Sequence, residues 1–334
     1  MSGVVIRRAQ DEAEAREILV AATRPNDSFT QRQLFSEEHI DRALRLGYRR
    51  ADWVWVATGA NDGKGGSDDS AHSDGETIGV VSGWGAEHRD APWVLDFFDL
   101  ARASDEVALD LIERAAADTA GDDAGQVELI LFLPTETPLN DPTLARFVAI
   151  LARARFRMLV RRRRYRLVVE GADVRLPDTQ LRFEPIAGAE DPRLVSVLAE
   201  ILVGSLDAHD LAALEKSDLD RVAQETAVEY LEMDAPESVF LAFDSADELV
   251  GLVIGGLRGG GSNGTASFIG VSHRHRGHGY AAQLLGWITA RMIAAGAETI
   301  IGETDDGNFP MARAFEAVGY PQTESRIDFQ RAGA

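Results

Sequence analysis

The sequence predicts an α/β protein with a mixed (α+β) sheet, built as two similar halves. Two observations carry that expectation. Strand-like runs alternate with amphipathic helical stretches, and the same order of elements occurs twice. In addition, residues 76–83 (ETIGVVSG) parallel 248–255 (ELVGLVIG), with Gly79 and Gly251 lying 172 residues apart. A length of 334 residues also suits two domains at roughly 150 residues each.

Taken in order, residues 4–9 (VVIRRA) form a strand that leads into a helix from Asp11. Residues 52–58 (DWVWVAT) and 77–83 (TIGVVSG) are paired strands. Between them, 59–77 is rich in Gly, Ser and Asp with no apolar repeat, and is expected as a mobile loop. Strands over 93–100 (WVLDFFDL) and 127–133 follow, with a helix between them. The run Arg161–Arg164 opens the last strand of this half and is expected as an exposed face with acidic neighbours. Gly, Pro and charge at 170–180 mark the boundary, giving domains over 1–172 and 180–334. The second half repeats the plan: a strand over 181–186, helices from Asp191, strands ending at Leu257 and Val271, a helix, and a strand over 299–302.

Composition narrows the function. Lys+Arg 34 against Asp+Glu 55 leaves a net charge of −21, which argues against nucleic-acid and anionic-membrane partners. There is no cysteine, so disulfides, thiolate metal sites and cysteine-acyl intermediates are excluded. The most apolar stretch, 249–257, is far short of the ~20 residues of a bilayer helix. Asp11, Glu12 and Glu14 interrupt any N-terminal signal core, and the expected compartment is the cytoplasm.

The most informative stretch is 268–285, FIGVSHRHRGHGYAAQLL. A strand ends near Val271, and the helix that follows carries Ala281, Leu284, Leu285, Ile288 and Met292 as one apolar stripe ended by Gly296. Between them, Gly277 and Gly279 allow a tight turn and close backbone approach. The first N–H groups of the helix then converge on one anion, with Arg274 and Arg276 adding charge. Such a unit is a diphosphate cradle, and it lacks both the Gly-Lys-Ser/Thr of a Walker loop and the glycine spacing of a dinucleotide fold. His273, His275 and His278 fall inside the same loop, where they cannot converge on a metal, and none is expected.

Arg274-x-x-Gly277-x-Gly279 after a strand resembles the acyl-CoA loop of the GNAT superfamily of N-acetyltransferases. Residues 308–320 (NFPMARAFEAVGY) are similar to that family's closing motif. The two-half plan resembles the tandem, mycothiol-synthase-like branch. The resemblance implies a tandem acyl-CoA N-acyltransferase fold, with acetyl-CoA as co-substrate and a small-molecule or peptide amine as acceptor. It places the pantetheine arm against the backbone of Ile269 and Val271. The diphosphate would sit on Arg274, Arg276, Gly277, His278, Gly279 and Tyr280, with Asn308 and Phe315 on the far wall. Direct attack of the amine on the thioester needs a proton acceptor and an acid for the thiolate. The family's usual tyrosine acid falls at Phe315. Tyr320 is the closing-motif hydroxyl, at a position where a structural aromatic is usual. Glu303 at a strand end is the general-base candidate with Asp305 behind it, and Ser267 could hold a water instead. His209 and Asp210, in the region that covers the acceptor cleft in this family, are expected on the surface.

The equivalent loop of the first half, from Ala101, has no glycine and places Asp105 and Glu106 at the helix entrance. Ser104 or Asp105 caps that helix, and carboxylates there repel a diphosphate. The first half is therefore expected to keep the scaffold without the ligand. A rival from another class is a non-catalytic acyl-CoA-binding sensor or scaffold, favoured by Phe315.

Overall fold

A computed structural model describes residues 3–59, 75–119, 127–258 and 261–331. From 60 to 74, the loop expected over 59–77 lies outside the described residues. The chain divides into two compact units, Met1–Leu159 with Glu324–Ala334, and Val160–Thr323.

In chain order the first unit holds β1 (Val5–Arg8), α1 (Glu12–Ala21), α2 (Phe29–Leu34), α3 (Glu37–Arg45), β2 (Val54–Thr58), β3 (Thr77–Trp84), β4 (Val94–Asp99), α4 (Asp105–Thr119), β5 (Glu128–Pro134) and α5 (Pro142–Arg153). Then come β6 (Phe156–Val168), β7 (Arg182–Pro185), α6 (Pro192–Leu202), α7 (Ala208–Leu214), α8 (Leu219–Met233), β8 (Val239–Phe243), β9 (Leu249–Leu257), β10 (Asn263–Val271), α9 (Tyr280–Ala294), β11 (Thr299–Asp305), α10 (Phe309–Val318) and β12 (Gln322–Arg331). Helices begin where short polar side chains accept the first free N–H groups: Asp11 caps α1 and Asp191 caps α6, at matching places in the two halves.

Strand order is β1-β2-β3-β4-β5-β12 in the first unit and β7-β8-β9-β10-β11-β6 in the second. In each, one central pair is parallel, β4 with β5 and β10 with β11, and its neighbours are antiparallel. The internal repeat is therefore a repeat of architecture. The unit boundary, however, is not the one expected at 172–180. The last strand of each sequence half joins the other unit: β12 pairs with β5, and β6 pairs with β11 from Arg162 onward. Side-chain chemistry sets these partners. Ile327 and Phe329 of β12 are buried in the first unit's core, whereas Tyr165 and Leu167 of β6 are buried in the second's. Residues Arg162 and Arg164 stand opposite Asp305 and Glu303 across the β6–β11 ladder. The arginine run is thus acid-paired as expected, but it is not an exposed face, since its side chains are only 16–25% accessible.

The first unit carries a pH liability. His39 on α3 stacks on Trp84 (centroids 5.6 Å apart). Burial, helped by the charges of Arg49 and Arg42, lowers its imidazole from 6.5 to about 4. Between those values the unfolded chain binds the proton and the folded one does not, so stability falls as pH drops from 6.5 toward 4. His39→Phe retains a ring on Trp84 and is expected to flatten that slope. Urea midpoints at neutral and acidic pH in the two proteins check it.

Candidate active site

Everything in this site belongs to the second unit. The β10–β11 ladder runs only from Asn263↔Thr299 to Ala266↔Gly302. A bulge then shifts the register between Ala266 and Phe268, while β10 stays paired with β9 as far as Val271↔Gly251. Bulges bend and twist a strand, so β10 leaves β11 and a gap opens between them. The free edge of β10 past the bulge carries Ile269 and Val271. Gly270 lies among them because Ile201 of α6 packs where a Cβ would stand, 2.6 Å from the Ile201 Cδ1.

Beyond Val271 the chain turns through Gly277 (φ +88°) and Gly279 (φ +77°) into α9. A Cβ added at either glycine would meet nothing within 4 Å, so the cradle is open. No side chain caps α9, although α6, α8 and α10 are capped by Asp191, Asp218 and Asn308. The first N–H groups of α9 are therefore aimed outward with the positive end of the helix dipole. Arg274 is exposed and lies 3.4 Å from Glu200. The three imidazoles of the loop take separate partners: His273 bonds the Glu200 carbonyl, His275 faces Glu248, and His278 lies beside the Tyr280 ring.

Several candidates are placed differently from expectation. Arg276 does not face an anion. Its guanidinium donates to the carbonyls of Val271 (3.2 Å), Gly204 (2.7 Å) and Ile201 (2.6 Å), and burial lowers its pKa. Asn308 turns its side-chain oxygen to the Met311 N–H as a helix cap. Phe315 is 1% exposed, stacked on Tyr165 at 4.3 Å and packed against Gly302, so it is core and not ligand wall. A phenyl ring has no polar tip to hold it at an aqueous gap. Tyr320 is equally buried, its hydroxyl hydrogen-bonded to Thr289 (2.7 Å) and its pKa raised by burial, which removes it as the thiolate's acid. Ser267, the bulge residue, accepts from Arg258 (2.6 Å) and donates to Asp234 (3.4 Å), so its hydroxyl is already committed. The Glu303 carboxylate forms an ion pair with Arg164 across the ladder, and a guanidinium-bound carboxylate is a weak proton acceptor.

A polar cluster missed in the sequence lies at the end of β11. Arg162 binds Asp305 through Nε (3.0 Å) and Asp207 through Nη2 (2.6 Å). Asp305 also accepts the Ala208 N–H (2.7 Å), and His209 Nδ1 lies 3.0 Å from the Arg162 guanidinium. Burial would raise Asp207, but its bonds to His209 and the charge of Arg162 outweigh that and hold it well below the usual carboxylate range. Asp305 is raised, by burial and then by the Asp207 charge. Asp210, whose carboxylate accepts from Ser205 Oγ (2.5 Å), is pushed up to about 6 by burial and by Asp207. His209 and Asp210 are half-buried rather than surface residues. The sequence singles out Arg162, Asp305, His209 and Asp210 separately but not their meeting, because 205–210, β6 and β11 lie far apart in the chain.

Two units of the same element order, each holding one splayed parallel strand pair, define a class: tandem proteins of the acetyltransferase fold. Residues 207–320 match the acetyltransferase (GNAT) family, and the second unit carries a GNAT-family domain. The whole chain is similar in fold to a GCN5-related N-acetyltransferase from Sphaerobacter thermophilus, with TM-score 0.62 and 13% identity over 100% of this chain and 98% of that one. It is also similar to a tandem GNAT protein from the clavulanic acid biosynthesis pathway (TM-score 0.53, 14% identity, 99% of each chain). A third likeness is to a fungal multi-domain β-N-acetylglucosaminidase with a glucosamine N-acetyltransferase region (TM-score 0.59, 12% identity, 98% of this chain and 38% of that one). Among the described residues, no helix is long and apolar enough to cross a membrane.

Proposed function

We propose that the second unit binds acetyl-CoA and transfers its acetyl group directly to an amine of a small molecule or peptide. The observation that carries this reading is the uncapped start of α9 behind two positive-φ glycines, set at the mouth of the β10–β11 gap. The residues present fit the ligand. A diphosphate takes the free N–H groups of 279–282, with Arg274 beside it. Pantetheine completes the edge of β10 at Ile269 and Val271 as a strand would, with the Val271 carbonyl already held by Arg276. The cofactor supplies the activated acyl group, and the chain orients it. Arg276 serves this arrangement indirectly, tying the end of β10 to the segment after α6. We place the reaction in the cytoplasm, a reducing compartment that a cysteine-free chain suits.

Phe315 in the core and Glu303 in an ion pair favour one competing reading, a module that binds acyl-CoA without turnover. A thiol-release assay separates the two, since the chain contributes no thiol background. Acetyl-CoA is offered with a polyamine, an amino sugar and a lysine peptide, and the transferase reading expects CoA release with at least one of them. CoA binding without release from any amine supports the binding module.

A further inference from the structure

We propose that Asp210 is the proton acceptor for the attacking amine, held over the mouth of the β10–β11 gap by the segment that carries it. This assignment rests on the transferase reading above. The geometry begins with the chain from Ile201 to Asp210, which is anchored at both diverging strands. On the β10 side, Arg276 bonds the carbonyls of Val271, Ile201 and Gly204 together. On the β11 side, Asp305 accepts the Ala208 N–H, and Arg162 joins Asp207 to Asp305. The segment therefore spans the gap where the two strands part. Tyr230 of α8 lies edge-on to Phe268 of β10 (5.0 Å), and the charges of Asp207, Asp210 and Arg162 all act on its hydroxyl.

Within this bridge the three aspartates are not equivalent. Asp207 and Asp305 are each ion-paired to the Arg162 guanidinium, so each has one oxygen committed to a cation. Asp210 takes its hydrogen bond from Ser205, a neutral hydroxyl. The groups around it are Asp207 and His209 on its own element, Ser205 before it, Arg162 from β6 and Tyr230 from α8. Burial and Asp207 push its carboxyl up to about 6, suited to accepting a proton near neutrality.

In the step, the lone pair of the neutral amine forms the N–C bond at the thioester carbonyl, whose electrons move to oxygen. Asp210 takes one proton from the nitrogen as it becomes positive. The carbonyl then reforms, the C–S bond breaks, and the thiolate leaves with the proton that Asp210 gives up through water. Amine and thioester become amide and thiol, with no other reactant.

The test uses the full-length protein, acetyl-CoA and whichever of the three amines above supports release. Asp210→Asn is expected to lower kcat on the order of 10²-fold while CoA affinity, by calorimetry, stays unchanged. The acidic limb of kcat/KM, which the wild type shows near pH 6, disappears in the variant. A second readout needs no turnover: carboxyl ¹³C NMR of aspartate-labelled protein shows a resonance titrating near pH 6 that is missing from Asp210→Asn. Ser205→Ala covers the case in which that variant fails to fold. Ser205 donates to the charged carboxylate, so removing it raises Asp210 and moves the acidic limb toward neutral pH. A variant rate within about twofold of wild type, with the limb intact, overturns the assignment. So does loss of the limb in Glu303→Gln. Absence of any release by the wild type instead overturns the transferase reading itself.

Discussion

Replacing Gly277 and Gly279 together with valine is expected to weaken CoA binding at least tenfold, about 1.4 kcal/mol. Two effects add. Both residues sit in the left-handed region, at φ +88° and +77°, where an L-residue costs roughly 1–2 kcal/mol and a β-branched one more. The loop relieves that strain by rotating its N–H groups away from their common focus. The new Cβ atoms also project into space that is open now, which is where a diphosphate must come to reach the backbone. The body of α9 is untouched, because Leu284, Leu285, Ile288 and Met292 remain buried on the opposite face. A folded variant is therefore expected, with a modest fall in Tm. Calorimetric titration with CoA gives the answer, and unchanged affinity in a folded variant removes the phosphate-loop assignment.

What was legible in the sequence follows from how local each signal is. The loop 268–285 is a contiguous strand, turn and helix, so its glycines, its apolar stripe and its end at Gly296 all read out correctly. The repeat was legible because each half keeps its own order of strands and helices. Strand exchange was not, since an internal repeat reports order and is silent on which sheet a last strand joins. It is set by the side chains of β6 and β12, through pairings far apart in the chain. The same applies to the candidate site residues. Glu303 lies inside β11, which runs on to Asp305, and not at the strand end expected; its partner Arg164 lies on a strand assigned from sequence to the other half. Arg276 and Asn308 sit in the expected motifs, yet nearby backbone groups take up their polar atoms. Asp210 reads as a surface residue in the sequence because its burial and the approach of Arg162 from β6 come from tertiary packing, not from local pattern.

One CoA is expected to bind per chain, at the second unit. The first unit keeps the same splay, its β4–β5 ladder stopping at Leu95↔Leu129, so the scaffold alone does not distinguish the two. Chemistry at the helix entrance does. Ser104 Oγ accepts the Val107 N–H at the start of α4, taking a group that α9 leaves free. Asp105 and Glu106 occupy the first turn, paired with Arg146 (2.8 Å) and Arg153 (3.7 Å). Arg146 also donates to the carbonyls of Leu100 and Ala103, so this entrance is filled by the unit's own side chains. The gap is occupied as well: Asn26 donates to the Phe132 carbonyl of β5 (2.8 Å), and Asp99 at the end of β4 accepts the Thr23 N–H (2.7 Å). A diphosphate here would lose the helix-dipole contribution and meet two carboxylates, a penalty of ~1–3 kcal/mol, or several-fold to hundreds-fold in affinity. Pantetheine would have to displace Asn26 in addition. Titration calorimetry is therefore expected to give a stoichiometry of one, with that site weakened at least tenfold in the Gly277→Val, Gly279→Val protein. Two equivalent sites would refute the loss of binding by the first unit. One site of unchanged affinity after the double substitution would mean that the cradle lies at α4, with Asn26 and Arg146 moving aside to admit the ligand.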